Sequence, residues 1–526
     1  MTTTPKSTRA SNIVSTAIPY VNASPHLGFA LEAVITDAIA RARRLEGHHV
    51  HHQSGTDDNS LKNARAAAVL GVSTHQLVNE NADRFFRLAE LLDLSWQAFV
   101  RTSGNPVHQH TVEQIWNRCQ RRGDIYRGTY DGLYCVGCEQ FYLEDELRDG
   151  RCPEHGTEPE QVREENYFFR LSRYQDELHR LVSSNQLRIL PNERRNEVLR
   201  LIEAGLRDFS ISRSRKRARD WGLPVPDDPS QVIYVWFDAL TNYVSGLGEN
   251  GLNLWNSAGR IEHVIGKGIL RFHAVYWPAI LLSAGLRLPT DILIHGYLTV
   301  EGRKIGKSLG NAVDPAAVVG EFGVEPVRFY LLRHVHTTRD GDFSRERLVA
   351  AHDGELADQL GNLVHRTVSL IGRYRDGFVP TPTALEESEQ ELAELARRTA
   401  REVAGAVERF ALHEALASIW RLVAAGNCYV DRTRPWALGK AERNGEHDCN
   451  LDLLLYTLAD LIHSVGLLLR PFLPATANEI LRRIGADGRV DEEKPTRALE
   501  PGARVKSGPP LFPKRSHLST ESARGS

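Results

Sequence analysis

Ile13 and Val14 begin a short apolar run, and the stretch after it, Ser15 to Phe29 (Ser-Thr-Ala-Ile-Pro-Tyr-Val-Asn-Ala-Ser-Pro-His-Leu-Gly-Phe), constrains this chain more than any other. Proline fits neither a helix interior nor a central strand, so Pro19 to Pro25 reads as a loop between a buried strand and a helix predicted over Leu27–Leu45. A strand running through a loop into a helix N-terminus is where an α/β fold binds phosphate, because unpaired N–H groups and the helix dipole face the anion. Pro25, His26 and Gly28 stand at that turn. A second phosphate-handling stretch lies far downstream, Gly302-Arg-Lys304-Ile-Gly306-Lys307-Ser308-Leu-Gly-Asn311. Its two lysines, separated by small residues, make a cationic loop suited to a triphosphate whose charge shifts onto pyrophosphate.

Cys135-Val-Gly-Cys138 is followed by Cys152-Pro-Glu-His155. Two thiolates two residues apart, met by a Cys and a His at the same spacing, match a tetrahedral Zn²⁺ site whose four positions are all protein ligands, hence a structural one. Six cysteines in 526 residues are too few for a disulfide framework, which suits a reducing cytoplasm. Cys119, Cys428 and Cys449 have no such partners and read as ordinary thiols.

Between these landmarks the chain up to about Arg101 reads as alternating strands and helices. His49 to Gln53 is expected as a strand feeding the loop Ser54-Gly-Thr-Asp57-Asp58-Asn59-Ser60. Asp57 at that strand end either faces the ligand crevice, where it would hold an ammonium group or a ribose, or caps the next helix. The basic run Arg213 to Arg219 is a solvated loop or an RNA contact. Beyond Ala351 the pattern becomes all-helical. Leu392, Leu395, Val403, Val407 and Phe410 mark one apolar face, and Leu416, Ile419, Trp420 and Val423 mark the next. Asn362 and Arg366 share a helix face, and Trp436 is expected on a loop, giving a ring to stack on and planar donors for an unstacked base; the alternative is a capped helix and a tryptophan plugging the bundle.

Lys+Arg 65 against Asp+Glu 67 leaves a net charge of −2, which neither favours nor excludes RNA. The polar N-terminal ten residues lack the apolar core of a signal peptide. Leu451 to Leu473 is apolar but interrupted by Asp452, Asp460, His463 and Arg470, a bundle helix rather than a membrane span. The residues after Ile484 lack periodicity and are expected to be largely mobile.

Together the two phosphate-facing stretches resemble the signature motifs of class I aminoacyl-tRNA synthetases, His-Ile-Gly-His and Lys-Met-Ser-Lys-Ser. Ala-Ile-Pro-Tyr before His26, Tyr-Val-Trp-Phe-Asp-Ala at Tyr234 to Ala239, Phe-His-Ala-Val-Tyr-Trp-Pro-Ala at Phe272 to Ala279 and His-Gly-Tyr-Leu-Thr-Val at His295 to Val300 narrow the resemblance to the methionyl-tRNA synthetase family. It runs from about Ile13 to about Lys514. The resemblance implies an α/β nucleotide-binding fold with a parallel sheet, divided as residues 1–118 and 229–350, with a zinc-knuckle insertion at 119–228, an all-α anticodon-binding bundle at 351–484 and a tail at 485–526.

It further implies ATP-dependent ligation of methionine to tRNA through an aminoacyl adenylate in a cytoplasmic monomer, with Zn²⁺ and Mg²⁺. His26, Lys304, Lys307, Asp57 and Arg213 would be catalytic. Pro25, His26, Gly28, Lys304, Lys307 and Ser308 would hold ATP. Ala17, Ile18, Tyr20, Trp236, Ala239, Tyr243, Ile269, His273 and Trp277 would line the methionine pocket, where aromatic walls suit a polarizable thioether. Asn362, Arg366 and Trp436 would read the anticodon. Four departures stand against the pattern: Phe29 replaces the second histidine of the first motif, Ile305-Gly306 replaces Met-Ser in the second, Asn59-Ser60 replaces a His-Gly, and Leu240 stands where some members carry proline. Losing one phosphate-facing donor can cost ~2.7 to 4 kcal/mol of transition-state stabilisation. Two other readings follow from these departures, a paralogue that activates another amino acid for a biosynthetic pathway and an inactive tRNA-binding protein. Met1 is the only methionine in the chain, which reflects drift toward Ile and Leu or an enzyme made when methionyl-tRNA is scarce.

Overall fold

The strand that opens the described chain, β1 (Asn12–Thr16), is completely buried and lies inside a six-stranded parallel sheet. A computed structural model of the chain describes residues 11–142, 144–153, 156–305, 311–382, 386–445, 450–486 and 499–515, without the side chain of Lys304. The chain divides into two compact units, residues 1–37 with 48–297 and residues 38–47 with 298–526.

In the first unit β1 leads through the expected loop into α1 (Leu27–Leu45), and the path continues through β2 (Val50–Thr56), α2 (Leu61–Leu70), α3 (Thr74–Phe86), β3 (Ala98–Arg101) and α4 (Pro106–Arg121). The insertion supplies β4 (Ile125–Cys135), β5 (Gln140–Tyr142) and β6 (Glu160–Phe169), followed by β7 (Arg188–Leu190), β8 (Ser212–Ser214) and β9 (Asp228–Ile233). The unit closes with α5 (Val235–Ser245), β10 (Ile261–Gly266), a π-helical turn over Phe272–Tyr276, α6 (Trp277–Ala284) and β11 (Asp291–His295). The parallel sheet has the order β3-β2-β1-β10-β11-β7. Ile13 is opposite His51 on one side and Ile261 on the other. Sequence order therefore reverses between β1 and β10, the switch point at which open α/β sheets bind ligands beyond their carboxyl ends.

β2 runs three residues further than the sequence pattern suggested, through Ser54, Gly55 and Thr56. Gly55 allows this: a Cβ there would lie 2.2 Å from the carbonyl oxygen of Val100 on β3, so only a bare Cα lets the strands stay paired. Helix α2 is capped by Ser60, whose side chain accepts from the Asn63 N–H, leaving Asp57 free of that role.

In the second unit, β12 (Leu298–Val300) and β13 (Arg303–Lys304) form a hairpin, with Thr299 opposite Lys304, and β14 (Gly341–Phe343) pairs with β12. Ile305 is buried; residues 306–310, including Lys307 and Ser308, lie outside the described residues. A π-helical stretch (His352–Gly361) leads into α7 (Asn362–Tyr374), then α8 (Glu387–Glu408), α9 (Leu412–Thr433), α10 (Pro435–Arg443), α11 (Asn450–Leu469) and α12 (Pro474–Arg483). Leu392, Val403, Val407, Leu416, Ile419 and Val423 are buried in this bundle. α11 is long and apolar enough to cross a membrane, with mean hydropathy 1.5, yet 67% of that window is buried inside the protein, where it packs on α8, α9 and α12.

One expectation is corrected here. Trp436 lies not on a loop but in the first turn of α10, because the chain turns between α9 and α10 in a single left-handed residue, Arg434 (φ 45°). The stretch 499–515 is anchored: Leu499 N–H donates to Asp460, Val379 N–H donates to the Ala503 carbonyl, Val505 N–H to the Gly377 carbonyl, and Arg483 donates to the Pro509 carbonyl. The rest of the tail lies outside the described residues.

Candidate active site

The loops leaving the carboxyl ends of β1, β2 and β10 bring together residues far apart in sequence. His26 ends the first loop, and its carbonyl accepts from Phe29 and Ala30, opening α1. Its Nδ1 accepts from the Gly28 N–H at 3.1 Å, which leaves the ring proton on Nε2. A Cβ on Gly28 would lie 2.9 Å from the imidazole, so glycine lets the ring fold across the helix start. Tyr20 forms a β-bridge with Asp57, and the Asp57 N–H donates to the Pro19 carbonyl, joining the first loop to the end of β2. Buried Ala17 donates from its N–H to Glu32 on α1, and Glu32 also meets His295 at 2.8 Å. Ile18 stands beside Gly55 of β2, 3.0 Å from where its Cβ would be.

α5, β10 and the π-helical turn form an aromatic wall. Trp236 stacks on Phe272 with centroids 3.7 Å apart, and its ring edge approaches Tyr20 and His273. Ala239 and Leu240 are buried on the same helix, and buried Trp277 meets the Tyr243 ring at 6.1 Å. His273 hydrogen-bonds through Nδ1 to the Ile269 carbonyl at 3.0 Å and through Nε2 to the Tyr243 hydroxyl at 2.7 Å. Burial holds the His273 imidazole near a pKa of about 4, so it is neutral at pH 7. Nδ1 is then the donor and Nε2 the acceptor, and the Tyr243 hydroxyl donates its hydrogen bond to the ring. Burial, then Glu32, pushes the Tyr243 phenol well above its ordinary range.

Opposite these rings four acidic side chains gather. Asp58 pairs with Arg101 at 3.0 Å, Asp238 with His108 at 2.6 Å and with Asn59, and Glu139 with Arg213 at 3.2 Å. Asp57 has no basic partner of this kind among the described residues. Burial first, then Asp238 and Glu139, pushes its carboxyl well above the usual carboxylate range. Among the buried atoms here that make no hydrogen bond among the described residues are Asp57 Oδ1, Asp58 Oδ1, Tyr20 Oη and Arg213 Nη2. Buried polar groups are usually satisfied, so such a set marks a place completed by a ligand or water.

On the insertion the sulfurs of Cys135, Cys138 and Cys152 lie within 4.8 Å of one another, with Cys138 and Cys152 3.7 Å apart. A tetrahedron of ~2.3 Å metal–sulfur bonds has an edge of about 3.8 Å, so the spacing fits a zinc-sized ion. A hydrogen bond shared with Cys135, together with burial, pushes the Cys138 thiol far up, a penalty that a cation among the sulfurs would reverse. His155 lies outside the described residues. Cys119 is buried, with its thiol pushed up to about 12 by that burial, and Cys428 is exposed.

In the second unit Asn362 is exposed, and Arg366 lies 5.3 Å over the ring of Trp436 while pairing with Asp431 at 2.9 Å. Trp436 is 42% exposed, so it does not plug the bundle.

Residues 12–161 and 145–368 match the model of class I tRNA synthetases of the methionine type, and residues 379–523 match the anticodon binding domain of methionyl tRNA ligase. The chain is 40% identical to the methionine--tRNA ligase of Thermotoga maritima over 95% of its length and 80% of the relative's. It is 41% identical to that of Mycobacterium tuberculosis over 90% and 91%. The chain belongs to the methionyl-tRNA synthetases. The solved methionyl-tRNA synthetase of M. tuberculosis in complex with methionyl-adenylate superposes with a TM-score of 0.91 at 39% identity, covering 96% of this chain and all of that one.

Within a methionyl-tRNA synthetase the departures acquire physical readings. Phe29 is nearly buried and meets the Phe85 ring of α3 edge-on at 5.1 Å, so the position that carries a polar ring in the motif is here an apolar lock. Asn59, where the family has histidine, donates to Asp238 and to the Thr102 carbonyl. The basic run divides: Arg213 is buried, Arg215 pairs with Asp220, Arg217 lies over Tyr134 beside Glu160, and Lys216 and Arg219 are exposed.

Sequence reasoning missed Glu139, His108 and Glu32. The only local signal for Glu139 is its place directly after the second knuckle cysteine. His108 had none, because its partner Asp238 lies 130 residues away.

Proposed function

We infer that the protein is a methionine--tRNA ligase working in two steps. The methionine carboxylate attacks the α-phosphorus of ATP, forming methionyl adenylate and releasing pyrophosphate. The terminal ribose hydroxyl of tRNA then attacks the adenylate carbonyl and releases AMP. Little covalent work falls to the protein, so catalysis is alignment and charge stabilisation.

Asp57 holds the ammonium group of methionine, and its buried Oδ1, without a partner among the described residues, is the observation that carries this assignment. Tyr243 and His273 face the thioether from a wall of Trp236, Ile269, Trp277 and Ala239, with Ala17, Ile18 and Tyr20 opposite. Because His273 is neutral, it presents no charge to an apolar side chain. His26 Nε2–H and the N–H groups at Gly28 and the start of α1 meet the phosphates, with Pro25 shaping the turn and Arg213 supporting them from the insertion. Lys304, Lys307 and Ser308 neutralise the departing pyrophosphate, and Mg²⁺ enters as the counter-ion of ATP.

Cys135, Cys138 and Cys152 hold Zn²⁺ with His155 as fourth ligand, and the ion supplies a structural cross-link to the insertion. Asn362, Arg366 and Trp436 read the anticodon by stacking and planar hydrogen bonds. The protein is assigned to the cytoplasm as a monomer.

ATP–pyrophosphate exchange measured with each standard amino acid tests the reading. Methionine alone should sustain exchange. A different amino acid would make the protein a paralogue for another pathway, and none would make it a tRNA-binding protein.

A further inference from the structure

Glu139 is wholly buried yet follows Cys138 on a tight turn with φ 56°, a left-handed conformation that side-chain-bearing residues rarely adopt. Such strain persists where the surroundings over-determine it, commonly at functional sites. The surroundings here are specific. One carboxylate oxygen accepts from the Lys62 N–H in the first turn of α2 at 2.9 Å. The other accepts from Arg213 Nη1 at 3.2 Å and from the Tyr134 hydroxyl, while the Glu139 carbonyl accepts from the Tyr234 hydroxyl. The guanidinium of Arg213 is also bracketed by the rings of Tyr134 and Tyr234, 4.9 and 5.2 Å away.

One side chain thus grips both polar elements of the pocket. Through Lys62 it fixes the helix that starts immediately after the Asp57-Asp58-Asn59-Ser60 loop. Through Arg213 it fixes the buried cation whose Nη2 has no partner among the described residues. Lys62 Nζ adds a second tie by donating to the Gly137 carbonyl at 3.0 Å, one residue before Cys138.

We propose that Glu139 is a positioning residue for methionine activation, holding Arg213 and the Asp57 loop in register with the knuckle turn. This rests on the assignment of Asp57 and Arg213 given above. Glu139 touches neither methionine nor ATP; it acts through the groups that do. Its loss should therefore lower kcat for adenylate formation by more than it destabilises the fold, and its effect should be coupled to Arg213.

The test is methionine-dependent ATP–pyrophosphate exchange, with methionine binding followed by intrinsic tryptophan fluorescence and stability by thermal unfolding. Glu139→Gln, neutral and of the same shape, should lower kcat by about tenfold or more. Glu139→Asp should recover part of that loss. In the Arg213→Gln background, Glu139→Gln should cost almost nothing further, since both changes remove the same tie. Tyr134→Phe, which strips one donor from the carboxylate without leaving a charge unpaired, should lower kcat in the same direction by about two- to fivefold, so coupling is read even where Glu139→Gln does not fold. Wild-type kcat in folded Glu139→Gln or in Tyr134→Phe, or independent multiplicative losses in the double variant, overturns the proposal. Wild-type protein without methionine-dependent exchange overturns the functional reading, and the proposal with it.

Discussion

The two walls of the pocket are built on opposite plans. The ring-lined wall is largely finished: Trp236 is stacked, His273 is hydrogen-bonded at both nitrogens and Tyr243 has a partner, while Trp277 Nε1 lacks one among the described residues. The polar wall is left open, with Asp57 Oδ1, Tyr20 Oη and Arg213 Nη2 buried and unmatched among the described residues. Apolar complementarity can be assembled during folding because it also stabilises the empty protein. On the proposed reading charge complementarity is deferred to the substrate, and a buried carboxyl without a basic partner is a stability sacrifice made for function.

The largest effect should come from the open wall. Asp57→Asn should lower kcat/KM for methionine-dependent exchange by about a hundredfold or more without lowering the thermal midpoint, because it removes a buried carboxyl that folding left without a basic partner. A fall in both would mean that Asp57 is an ordinary structural carboxylate. The finished wall should behave in the opposite way: Tyr243→Phe should raise KM for methionine about three- to tenfold, the worth of one hydrogen bond, with a smaller change in kcat. Equal losses in kcat would erase the distinction between the walls.

The two walls should also separate by pH. His273 resists protonation until about pH 4, whereas in the unfolded chain it takes up a proton near pH 6.5. Its contribution to stability is whole above pH 6.5 and declines as pH falls from there to about 4. Asp57 works in the other sense: its carboxyl is raised, so its contribution is present at low pH and is lost as pH rises through its folded pKa. Unfolding followed from pH 4 to 8 in His273→Gln and Asp57→Asn should flatten slopes of opposite sign. Identical slopes would show that one environment governs both groups.

The smallest effect on activity should come from Phe29→His. Because Phe29 packs on Phe85, the substitution should destabilise the protein by about 1–3 kcal/mol while changing kcat only a few-fold. A gain of tenfold or more would show that the phosphate side lacks a donor which the imidazole restores.

Much of this was legible in sequence where the physics is local. A buried run, two prolines and a His-Leu-Gly were enough to place β1, its loop and the start of α1 at Leu27. Paired Cys motifs likewise brought three thiols to one point. Features set by distant backbones left no local mark. The extension of β2 depends on Val100 approaching Gly55, and Glu139 depends on partners at 62, 134 and 213. The anchoring of 499–515 left no local mark because that stretch has no periodicity of its own and its hydrogen bonds go to residues distant in sequence. In sequence a Pro at the start of a helix looks the same as a turn, which is why the pattern around Trp436 reads as a loop.

That last stretch has a consequence for how the protein is born. The sheet of the first unit can close around β1 only after β11 has been synthesised, yet it needs nothing later. The helical unit differs, since Val379 pairs with Ala503 and Arg483 with Pro509. At translation speeds of ~5–20 residues per second the nascent first unit has many seconds to settle before the second can latch shut. Completion of the second unit therefore waits for residues 499–515, and a chain released before they are made would carry a finished sheet and an unclasped bundle.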